Sequence, residues 1–121
     1  MPASQIKKAH LAKCQRCRRA TFLRRKLRDV VFCDAPMEPW FRCMVGCSRD
    51  QLRDKLQSLF EPWMGWHNYG VGKSRWTIGH RMPCASFRLG EFAEDCLAFH
   101  HTNLFPQDFC ENSALGACPA D

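Results

Sequence analysis

The stretch Trp76-Thr77-Ile78-Gly79-His80-Arg81-Met82-Pro83-Cys84, read with His101-Thr102-Asn103-Leu104-Phe105-Pro106, decides the fold. In the first run Trp76 and Ile78 alternate with Thr77 and Gly79 before a proline-ended turn, the period of a short strand. The second run is another strand candidate. Between them, residues 91–99 (EFAEDCLAF) predict a short helix. Pro106 suits the first position of a last helix over 106–115, closed by Gly116. The C-terminal half therefore reads as strand, His80, loop, helix, strand with Asn103, and helix with Asn112.

Upstream, Ser48 to Phe60 is a helix. Ser48 and Gln51 have capping-box spacing, Asp50 complements the helix N-terminus, and Leu52, Leu56, Leu59 and Phe60 make a core stripe. Pro62 ends it. Phe41 to Val45 is apolar and of undecided type. Residues 61–74 are rich in glycine and aromatics, with Trp63, Trp66, Tyr69 and Trp76 read first as core anchors. Such rings can also stack on bases.

The N-terminal part is a different material. Residues 1–28 carry Lys7, Lys8, Lys13, Arg16, Arg18, Arg19, Arg24, Arg25, Lys26 and Arg28 and no acidic residue, whereas 29–121 is net −4, in a chain of +6. Residues 4–31 predict one helix capped by Ser4, with Leu23, Leu27, Val30 and Val31 docking its second half and the polar first half projecting. The expected organisation is a basic helical arm over 1–31 and a second domain over 32–121. Such charge favours a polyanion, most simply nucleic-acid phosphate. Arg16, Arg18, Arg19, Arg24, Arg25, Lys26, Arg28 and, in the body, Arg81 are the candidate contacts.

The 121 residues fit one domain, or one domain plus an arm. No apolar run is long enough for a bilayer and no secretory h-region opens the chain. With nine cysteines, an odd count, a reducing intracellular setting (cytoplasmic or nuclear, not secreted) is expected, with no membrane partner. Cys14, Cys17, Cys43 and Cys47 have the pairing of a structural Zn²⁺ site, but buried thiols are the stronger reading.

With these residues in place, the chain resembles the HNH endonucleases of the ββα-metal (His-Me finger) fold, in their compact branch typical of viruses and mobile elements. The resemblance covers about residues 45–115. It rests on Gly46-Cys47-Ser48 with Leu52, and on Phe60 through Met64, Trp66, Asn68, Tyr69 and Gly70. It continues through Trp76-Thr-Ile-Gly-His80-Arg-Met-Pro83-Cys84 with Phe87, and Phe99-His-His-Thr102-Asn103-Leu104-Phe-Pro106 with Asn112 nine residues after Asn103.

The resemblance implies an α+β fold: a small ββα-metal core with a long N-terminal basic helix and a preceding amphipathic helix. It implies a metal-dependent endonuclease that hydrolyses phosphodiester bonds in DNA, with RNA the other candidate. His80 would be the general base, Asn103 the buttress that fixes the loop after it, and Asn112 a ligand of Mg²⁺ or Mn²⁺. The family has H-I-D-H where this chain has Thr77-Ile78-Gly79-His80, so the usual aspartate ligand is Gly79. Gln107 stands where the family usually has Leu. Asp108, four residues before Asn112, is the candidate replacement acid. A catalytically degenerate HNH-fold nucleic-acid-binding module is the alternative, and a zinc-stabilised protein-interaction domain the third. A dimer is one route to cutting both strands.

Overall fold

A computed structural model describes residues 14–115. The expected cap Ser4, the first helical residues and Gly116 lie outside the described residues.

Helix α1 spans Gln15–Phe32. Cys14 caps it, its Sγ accepting from the Cys17 N–H at 3.3 Å. Cys17, Ala20, Leu23, Leu27, Val30 and Val31 are buried along it, spaced three and four apart so that they share one face. Docking therefore runs the whole described length of the helix, which is close to the second half of the expected 4–31. Asp34, in the left-handed region at φ 59°, turns the chain away.

The undecided segment at 41–45 is helix α2, Pro39–Val45, with proline at its first turn and Gly46 at φ 83° closing it. A Cβ on Gly46 would also meet the His100 ring at 2.4 Å, so two constraints ask for glycine there. Helix α3, Arg49–Ser58, has the expected capping box, with Ser48 and Gln51 bonded reciprocally. Leu52 and Leu56 are fully buried, while Leu59 is left exposed past the helix end.

Strand β1 (Trp76–His80) pairs antiparallel with β2 (Leu104–Asp108), Trp76 opposite Asp108 and His80 opposite Leu104. Between them lies helix α4, Phe92–Phe99, and after them helix α5, Phe109–Leu115. Pro106 does not start the last helix: it sits inside β2, opposite Ile78. A two-stranded sheet has a free edge on β2, where a residue without an N–H costs nothing. The second strand thus begins at Leu104, and His101–Asn103 form a 3₁₀ turn before it.

One hydrophobic core holds these elements together. Leu23, Leu27, Val30 and Val31 of α1 share it with Phe41, Met44 and Val45 of α2, Leu52 and Leu56 of α3, Ala98 and Phe99 of α4, and Leu104 of β2. Beside it Trp76, fully buried, meets the rings of Phe32, Phe60, Trp66 and Tyr69. Its indole N–H donates to the Gly65 carbonyl at 2.6 Å. Trp66 and Tyr69 are anchors, as expected, while Trp63 is 38% exposed. The architecture is a small α+β fold of helices around a two-stranded antiparallel sheet. Among the described residues no helix is long and apolar enough to cross a membrane.

Candidate nucleic-acid and metal site

His80 is the last residue of β1, half-buried, its ring edge-on to Phe99 at 4.7 Å. The Nε2 atom is sealed from solvent and has no hydrogen-bond partner. Nδ1 is then the nitrogen left to meet a water. Burial pushes the imidazole down from its ordinary 6.5 to about 3, and the Arg24 guanidinium pushes the same way.

The loop after His80 is held by Asn103. Its Oδ1 accepts from the Met82 N–H at 2.8 Å, and its Nδ2 donates to the Met82 carbonyl at 3.1 Å and the Ala98 carbonyl at 2.8 Å. The Asn103 carbonyl also accepts from the Arg81 N–H at 2.8 Å. One residue thereby joins the loop after β1, the end of α4 and the start of β2.

Asn112 lies on α5, which packs against both strands. Its Nδ2 donates to Thr77 Oγ1 at 2.9 Å, so the amide nitrogen is engaged and Oδ1 is the atom left for a cation. Asn112 and Thr77 open onto a cleft of about 310 Å³ between α1 and the sheet, lined also by Arg24, Arg25, Arg28 and Tyr69. Arg24 and Arg25 are exposed, and burial pushes the Cys84 thiol up while the nearby Arg24 guanidinium opposes it.

The remaining basic candidates, and Arg28 in addition to its place in the cleft, have partners of other kinds. Arg19 pairs at 2.9 Å with Asp95, which is fully buried. Lys26 is bonded to Glu38 and to the Pro36 carbonyl. Arg28 forks onto Asp29. Arg81 lies over the Phe105 ring, 4.9 Å from its centre. Arg16 is half-buried and Arg18 exposed; neither lines the cleft.

Asp108 is not on a helix face with Asn112. It ends β2, and its Oδ1 accepts from the Cys110 and Glu111 N–H groups at 2.9 and 3.2 Å, capping α5. Cys14 and Cys17 are buried at the start of α1, Cys43 is exposed on α2 and Cys47 is half-buried beyond it. Among the described residues no three His, Cys, Asp or Glu side chains gather to hold a metal ion. The cleft offers one side-chain amide, Asn112, with the Thr77 hydroxyl beside it, no carboxylate and three arginines, so a Mg²⁺ or Mn²⁺ there would have to draw most of its oxygens from water and phosphate.

Two residues gain importance that their types did not announce. Thr77 is the hydroxyl that holds Asn112. Gln107 stands opposite Thr77 across the ladder and reaches over Gly79. Strand alternation was the available signal, since it puts 77, 79 and their opposite numbers on one face.

No known family profile matches the chain, and no solved structure matches it. It is similar to an uncharacterized protein, L426, of Acanthamoeba polyphaga mimivirus, at 34% identity over 68 residues. That span is 56% of this chain and 29% of the viral protein, so the chain corresponds to less than a third of that relative's length.

Proposed function

We propose that the protein is a metal-dependent endonuclease of the HNH type, its sheet and α5 forming a ββα-metal core, that hydrolyses phosphodiester bonds in DNA. One observation carries this reading: the cleft that holds the Asn112 amide and the Thr77 hydroxyl is walled by Arg24, Arg25 and Arg28. An amide oxygen that makes no hydrogen bond to a described residue and three cations around one space suit a phosphodiester.

In this reading the arginines bind and orient the phosphate. Asn112 Oδ1 holds the divalent ion, which when bound offsets charge on the phosphate and the leaving oxygen. His80 Nδ1 takes the proton of the water whose oxygen bonds to phosphorus. The bond to the leaving oxygen breaks, and that oxygen takes a proton from solvent. Asn103 positions His80 by fixing the following loop. An imidazole held near 3 is neutral at physiological pH but a weak base. A phosphate anion beside it would oppose Arg24 and raise its proton affinity.

The test is Mg²⁺- or Mn²⁺-dependent nicking of supercoiled DNA by the wild-type protein and His80→Ala. Nicking by the wild type alone supports the reading. Equal activity in both, or none in either, sinks it. The second reading is a nucleic-acid-binding module with lost catalysis, favoured by Gly79 in place of the acid and by the sealed Nε2. It predicts salt-sensitive binding with no cleavage.

A further inference from the structure

We infer that the protein takes an unpaired strand of nucleic acid across α1, with phosphates on Arg24, Arg25 and Arg28 and bases stacked on Tyr69 and Phe22. The inference rests on the nucleic-acid half of the reading above and needs neither metal nor catalysis. The cleft of about 310 Å³ between α1 and the sheet is lined by those three arginines and, among the described residues, by no carboxylate. Arg28 is pinned by its neighbour Asp29 at 2.9 Å. Arg24 and Arg25 pair with no carboxylate of a described residue. Guanidiniums without an acid opposite make an anion site, and their planar forks match phosphate oxygens.

The helix sets the order of these cations. Arg24 and Arg28 are four residues apart, so they lie one above the other, about 6 Å apart along the axis. Tyr69 lines the same cleft, near enough to Arg28 for that guanidinium to act on its phenol. Phe32 backs its ring at 3.7 Å and 25°, and Trp76 meets it at 75°, so the ring is fixed before any ligand arrives. Arg24, one turn away, is the arginine that acts on His80. A stacking ring stands at one end of the stripe and the candidate base at the other.

A second ring continues the path outside the cleft. Phe22 is 50% exposed and sits three residues before Arg25, which makes the two neighbours on the helix surface. Trp40 lies within 13° of parallel to it, and the Arg19 guanidinium is 5.5 Å from its ring centre. One exposed ring by itself is ordinary on a protein surface. Its place at the edge of an arginine stripe, with exposed Arg18 and Arg25 beside it, is what makes it a base platform. Rings interleaved with cations along a groove suit a single strand of any sequence, because every base has a π-face. Bases stacked inside a duplex offer no free face to either ring.

The experiment is fluorescence anisotropy with the full chain in chelator, using a short labelled oligo-dT strand and a duplex of the same length. The strand should bind about tenfold more tightly than the duplex. Phe22→Ala and Tyr69→Ala should each weaken binding of the strand by about tenfold and leave the duplex nearly unchanged, while Tyr69→Phe keeps wild-type affinity. If Tyr69→Ala fails to fold, Phe22→Ala, at an exposed position, decides together with the wild-type preference. A duplex bound as tightly as the strand, or ring variants that weaken both alike, overturns the inference, and does so without touching the nuclease reading if metal-dependent nicking persists. Binding of neither nucleic acid overturns the inference and the nucleic-acid reading together.

Discussion

Asn103 and Met82 are bound to each other in both directions, Oδ1 accepting from the Met82 N–H at 2.8 Å and Nδ2 donating to the Met82 carbonyl at 3.1 Å. No other described side chain closes the loop that follows His80 in this way, and the same amide reaches Ala98. Asn103→Ala should therefore cost about 2–3 kcal/mol, since three hydrogen bonds are lost and their backbone partners are left short. Asn103→Asp keeps the acceptor and loses both donations, and should fall between. Urea denaturation checks the order, and wild-type stability in Asn103→Ala would refute it.

Gly79→Asp should not be a simple gain of a ligand. The new Cβ meets Gln107 Oε1 at 2.2 Å, so the single variant should be destabilised by about 1–3 kcal/mol. Gly79→Asp with Gln107→Leu should recover part of that loss, because the oxygen is gone while the contact with Cβ at 2.9 Å persists. A double-mutant cycle should return a coupling on the order of 1 kcal/mol. Strict additivity would mean the two side chains do not compete for the space.

His80 predicts a pH dependence of stability. Its folded pKa, about 3, is below the ordinary 6.5. Above 6.5 neither state is protonated and the contribution is complete. As pH falls from 6.5 towards 3 the unfolded chain takes up a proton that the folded chain refuses, so stability drops, by at most about 1.4 kcal/mol per pH unit. Between pH 7 and pH 5, with chelator present, His80→Gln should lose less stability than the wild type. Parallel curves would show that the imidazole is not sealed as described.

The arginines of α1 should separate into two classes. Arg24→Ala and Arg25→Ala remove cleft-wall cations, and each should weaken nucleic-acid binding and flatten the dependence of log K on log[salt] by about 0.9 for duplex DNA. Arg19→Ala strips the partner from the fully buried Asp95 and should cost about 2–3 kcal/mol of stability while the salt slope stays put. Fluorescence anisotropy over a salt series, beside thermal melts, reads both. A flattened slope in Arg19→Ala would place the interface elsewhere on the helix.

What the sequence made legible was local. The capping box at Ser48 and Gln51, the Leu52 and Leu56 part of the α3 stripe and the strand at 76–80 are each set by neighbours within four residues, and each stands in the structure. Pro106 misled for the same reason: in isolation it looks like a helix start, whereas its place in β2 is decided by pairing with Ile78 across the sheet. Asp108 shared that error, because an i, i+4 relation to Asn112 holds only if both lie on one helix. The order of His80, Asn103 and Asn112 was visible, but the encounter of Gly79 with Gln107 depends on register and could not be seen along the chain. The apolar stripe of α1 was legible from Leu23 to Val31, whereas Cys17 and Ala20, small residues among basic ones, gave no apolar signal and yet extend it.

That stripe makes α1 a structural member and a cleft wall at once. The helix cannot swing out to search for a partner without opening the core that Leu23, Leu27 and Val30 fill. Recognition and folding are consequently two readings of one equilibrium. An anion gripped by Arg24 and Arg25 should raise the melting temperature of the entire molecule, in step with its concentration over its dissociation constant. A chain begun at residue 32 should fail to fold, not merely fail to bind.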